Sequence, residues 1–156
     1  MKTTLFILVV AISLVACSSK VNYNDTVVGL YGRYSTEMKK IFTETNPEAA
    51  IDVKKAAIQR LETLTDSCTK VMEGLKPGAD AKEFHQVLSD LYSTVKRDFL
   101  PPYKKLLAIA NPDNNADEYN KLIEEVNVAS EKIGELEDKA ITAQAEFAQK
   151  ANMKLR

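Results

Sequence analysis

The chain has 156 residues, with 21 Lys and Arg against 22 Asp and Glu, one His, two Cys and no Trp. That length holds one domain, and the even charge balance excludes the basic footprint of a nucleic-acid binder or a polybasic membrane patch. No fixed-period repeat points to a solenoid.

The N-terminus comes first, because a targeting segment is set aside before any fold reasoning. Lys2 supplies a positive charge and Leu5 to Ala16 is an apolar run of roughly a dozen residues, short of the ~20 that span a bilayer. It has the length of a signal-peptide core, and no later stretch approaches membrane-spanning length. It closes on Leu14-Val15-Ala16-Cys17, which resembles the lipobox of bacterial lipoproteins.

The resemblance implies that residues 1–16 are cleaved and that the Cys17 thiol takes a diacylglyceryl group. The freed amine is often acylated too, and two or three chains suffice for stable anchoring. Residues 17–23 would then be a lipidated N-terminus and short tether, with the bundle domain over 24–156 and the membrane a partner through Cys17. At most ~3.5 Å per residue, about six tether residues reach roughly 20 Å. Ser18 after the cysteine is, by the same resemblance, compatible with outer-membrane delivery. Asn22-Tyr23-Asn24-Asp25-Thr26-Val27-Val28 is similar to the opening of uncharacterised helical lipoproteins of Gram-negative bacteria, which implies a fold and no activity. Loss of Lys2 with the leader leaves 20 cationic against 22 acidic side chains, a net charge of about −2.

Beyond the leader, apolar residues recur at steps of three and four, the signature of amphipathic helices. The first helix is predicted over about Asn24 to Thr45, with Val27, Tyr31, Tyr34, Met38 and Ile41 inward and Leu30 and Phe42 widening the stripe. Asn46 reads as an N-cap with Pro47 at the first helical position. The second helix, about Pro47 to Glu73, carries the heptad series Ala50, Val53, Ala57, Leu61, Leu64, Cys68, Val71 and Leu75. Asp80 to Glu83 is a capping-box pattern. It opens a third helix with Phe84, Leu88, Leu91, Val95 and Phe99 inward, kinked or split at Pro101-Pro102 because proline loses a backbone bond and clashes one turn back. The fourth helix, from Ala116 to about Met153, carries Tyr119, Leu122, Val126, Ala129, Ile133, Leu136, Ala140, Ala143 and Phe147 inward and would measure about 57 Å. Four amphipathic helices on short turns predict an all-α, up-down-up-down four-helix bundle.

Catalytic patterns are mostly missing. His85 stands alone, so no His/Cys cluster with metal-ligand spacing exists, and no phosphate loop or nucleophile elbow occurs. Neither a cofactor nor a metal is expected. With Cys17 lipidated, Cys68 cannot form an internal disulfide, and its place on an apolar stripe makes it a buried structural thiol. His85 reads as a solvated surface residue. Gly29 and Gly32 lie inside the first helix, where each costs about 1 kcal/mol relative to Ala; close packing is the favoured explanation and a partner's approach the other. Tyr31 and Tyr34 cluster around them as a candidate partner surface, although tyrosines in a bundle are more often core edge. Lys96, Arg97, Lys104 and Lys105 flank the proline pair beside Tyr103, so an anionic group would be sought there. These residues predict a non-catalytic envelope lipoprotein that binds a protein or envelope component. The alternative is a small-ligand or ion-binding module at the kinked helix.

Overall fold

The computed structural model describes the backbone of residues 2–46, 48–109 and 112–152, and the side chains of 22–46, 48–109 and 114–152. Its elements are α1 (Lys2–Glu44), α2 (Ile51–Gly74), α3 (Lys82–Thr94), α4 (Leu100–Leu106) and α5 (Ala116–Lys150), with a π-helical turn, Val95–Phe99, between α3 and α4. Because α3, the π turn and α4 follow without a break, the four arms form the predicted all-α bundle. Each arm packs mainly against its neighbour in sequence, and α3 and α4 both pack on α5.

The two ends are marked by aromatic contacts between arms. At one end Phe147 meets the edge of Tyr23 and stacks on Phe84. At the other, Phe42 lies edge-on to Phe99. Tyr23 and Phe42 are nineteen residues apart on α1, so these ends are separated by roughly 28 Å at ~1.5 Å per residue.

The core follows the predicted stripes on three arms. Val27, Leu30, Tyr34, Met38 and Ile41 are buried on α1, as are Phe84, Leu88, Leu91, Val95 and Phe99 on the third arm and Leu122, Val126, Ala129, Ile133, Ala140, Ala143 and Phe147 on α5. Tyr31 is only half-buried and Phe42 is exposed. The second arm is rotated from its predicted phase. Its buried residues are Ala57, Ile58, Leu61, Thr65, Cys68 and Met72, while Val53 and Val71 face solvent. Thr65 can sit inside because its Oγ1 donates to the Leu61 carbonyl (2.8 Å) and meets the Tyr34 hydroxyl (3.3 Å), so the polar atom is not left without a partner.

Three boundaries differ from expectation. Helix α1 is continuous through 17–23, the stretch read as a tether, since nothing between Lys2 and Val28 is a Pro or Gly that would break it. Asn46 does not cap α2: its Oδ1 accepts the amides of Glu48 and Ala49 at 3.0 Å in a separate turn, and α2 begins at Ile51. The capping box at Asp80 gives way to a 3-10 turn, Ala79–Ala81, ahead of α3.

The irregularity foreseen at Pro101-Pro102 sits one turn earlier. Leu100 donates to the Val95 carbonyl five residues back. This wider turn makes room for the proline rings, which would otherwise press on carbonyls one turn before them. The prolines then occupy the opening turn of α4, which continues the preceding turns, so their missing N–H groups leave carbonyls of the π turn without helical donors. The next amide after Leu100 belongs to Tyr103, so the Arg97 carbonyl is left without a helical donor.

Candidate functional site

A cleft of about 610 Å³ opens between the π turn with α4 and the first half of α5. One wall is Arg97, Asp98, Pro101, Pro102 and Lys105; the other is Lys121, Glu124, Glu125, Val128, Ala129 and Lys132. Arg97, Pro101 and Lys105 fall one helical turn apart and so line one edge. Opposite them α5 runs antiparallel, which sets Lys132 against Asp98, Val128 against the prolines and Lys121 near Lys105.

Asp98 organises one end. Its carboxylate accepts Arg97 Nε at 2.8 Å and Lys132 Nζ at 3.0 Å. The Arg97 hydrogen bond, ahead of the Lys132 contact, holds its pKa below the usual carboxylate range. Two cations share one anion, leaving a surplus positive charge. At the other end Lys121 reaches Glu125 at 3.8 Å, whereas Lys105 has no ion-pair partner among the described residues. Between the charged ends the floor is Pro101, Pro102, Val128 and Ala129, with Val128 60% exposed. Asp98 and Lys132 had no sequence signal as site residues; only the contact between arms pairs them.

The four cations read together in sequence do not converge. Lys96 and Lys104 turn to α2, where they pair with Asp66 and Glu62, each at 2.6 Å. Arg97 and Lys105 face α5. Tyr103 is half-buried and stacks on Phe99 with ring centres 5.4 Å apart. Tyr34 is not a surface residue at all: it is 0% exposed, edge-on to Tyr92 at 4.8 Å. Burial first, then Glu137 and Asp138, raises the Tyr31 pKa, so Tyr31 belongs to the α1–α5 side and is apart from the cleft. The side chain of Cys17 lies outside the described residues.

Cys68 is buried, and burial pushes its thiol pKa up. His85 is half-buried, with Nδ1 2.8 Å from the Tyr23 hydroxyl. Burial lowers its pKa and pushes that of Tyr23 up to about 12. A Cβ at Gly29 or Gly32 would meet no atom within 4 Å, so close packing does not explain either glycine. Among the described residues no cluster of three or more His, Cys, Asp or Glu could hold a metal ion, and no helix is long and apolar enough to cross a membrane.

Neither the protein-family models, the curated proteins nor the solved structures contain a match to this chain.

Proposed function

We propose that this chain is a lipoprotein of the bacterial cell envelope, anchored through Cys17 with the outer membrane favoured, and that its bundle is a non-catalytic module binding a protein or envelope component. The observation that carries the reading is the position of the cleft. Val128 and Phe147 are nineteen residues apart on α5, so the cleft lies roughly 28 Å from the Tyr23–Phe147 end, where the lipidated N-terminus would leave the bundle. An apolar floor between charged ends at the far tip of an anchored rod suits a partner that approaches from the side away from the membrane.

The ligand-binding alternative occupies the same place, but with Lys96 and Lys104 engaged on α2 it has fewer cations than the sequence offered it.

The test is in-cell photocrosslinking of the full-length protein from a benzophenone amino acid at Val128, with one at Val71 on α2 as a surface control and Cys17→Ala as an anchoring control. A discrete adduct from Val128 that is absent from Val71 and lost with Cys17→Ala is the expected result. No adduct dependent on Cys17 overturns the tethered-module reading.

A further inference from the structure

The cleft also says what kind of partner segment it takes. Resting on the binding-module reading above, we propose that its occupant is a segment of a partner protein in which an acidic side chain lies next to apolar ones.

The charges do not cancel within the cleft. Its lining holds four cations, Arg97, Lys105, Lys121 and Lys132, against three carboxylates, Asp98, Glu124 and Glu125, and the surplus falls at the Asp98 end, where Arg97 and Lys132 share one anion. A carboxylate entering beside Arg97 and Lys132 would add the second anion that two cations call for. The apolar interval lies between those charged ends. Pro101 and Val128 face each other across the opening and offer rigid surface to a Leu- or Val-sized side chain. From Arg97 to Lys105 the edge spans about eight helical residues, roughly 12 Å, which three to four extended residues cover at ~3.4 Å each.

The headgroups of the protein's own membrane are a poor alternative source of anions. The cleft stands at the end of the bundle remote from the anchor, beyond the reach of screened surface charge at physiological salt, where the Debye length is about 8 Å.

The experiment is panning of a phage-displayed random hexapeptide library against the full-length lipidated protein in detergent, beside Lys105→Glu/Lys132→Glu. Both lysines are exposed, and retention of fold in the variant is checked by circular dichroism. The expected result is enrichment of peptides that place Asp or Glu next to Leu, Val or Ile, binding at least tenfold more weakly to the charge-reversed variant. Enrichment of basic peptides, no enrichment, or binding indifferent to the charge reversal would overturn the proposal. If the Val128 adduct forms in cells but maps to a segment lacking acidic residues, this inference fails while the tethered-module reading stands.

Discussion

The Tyr34 and Thr65 hydroxyls meet 3.3 Å apart in the buried centre of the bundle, tying α1 to α2 through polar atoms that no water reaches. The two partners are not equivalent. Thr65 Oγ1 also bonds the Leu61 carbonyl at 2.8 Å, whereas the Tyr34 hydroxyl has Thr65 alone. Tyr34→Phe is therefore expected to cost about 1 kcal/mol, because Thr65 stays satisfied. Thr65→Val strands the tyrosine hydroxyl and should cost more, about 1–3 kcal/mol. Urea unfolding of both variants and of the double mutant checks the order, and a Thr65→Val cost below that of Tyr34→Phe would show that the contact contributes nothing.

That pair also explains what the sequence could and could not reveal. Three arms were legible because their inward positions are filled by strongly apolar side chains with no competing register. On α2 the predicted series and the buried one share Ala57, Leu61 and Cys68, but the buried one takes Ile58, Thr65 and Met72 where the predicted one had Val53, Leu64 and Val71. A threonine counts as polar in any binary pattern, yet in a helix it can satisfy itself on the preceding turn. The cleft was half legible. The prolines and nearby cations marked the place, but Asp98, Lys132 and Val128 join it only through the packing of α4 on α5, a contact between residues some thirty apart.

The two glycines of α1 offer a gain in stability. Both lie in helix interior with open space where a Cβ would stand. Gly29→Ala and Gly32→Ala are each expected to stabilise the fold by about 0.5–1 kcal/mol, since alanine loses less backbone freedom on folding. Thermal melts read the effect. A variant that melts lower would mean that α1 is not helical there in solution.

His85 gives the protein a sensitivity to mild acid. In the Nε2–H tautomer the Tyr23 hydroxyl donates to Nδ1, a bond that protonation of the ring removes. Burial lowers the folded-state pKa, so the unfolded chain binds the proton more readily and stability falls as pH drops below about 6.5. NMR titration of the single histidine should show a midpoint below that of a free histidine, moving upward in Tyr23→Phe. A midpoint unchanged by that substitution would mean the hydrogen bond is not formed.

Asp98 acts with the opposite sign. Its carboxyl is held low by Arg97 and then Lys132, so its contribution is present above the ordinary carboxylate pKa and is lost as pH falls through the lowered one. Asp98→Asn is expected to destabilise by less than about 1 kcal/mol at neutral pH, given how accessible its partners are, with the loss shrinking at high salt. Denaturation at two salt concentrations measures both. A loss independent of salt would assign Asp98 a packing role instead of an electrostatic one.

Helix α1 runs without a break from Lys2 to Glu44, and for a chain anchored at Cys17 as proposed, that would make the anchor a question of azimuth as well as of length. On a flexible leash, adding a residue after Cys17 would only pay out slack. On a helical shaft each added residue lifts the bundle by ~1.5 Å and swings it by roughly 100° about its axis. One inserted residue would therefore turn the cleft sideways to the lipid, and seven would restore nearly the original heading about 10 Å higher. A partner fixed in the same envelope would distinguish those two proteins, although their soluble domains are identical.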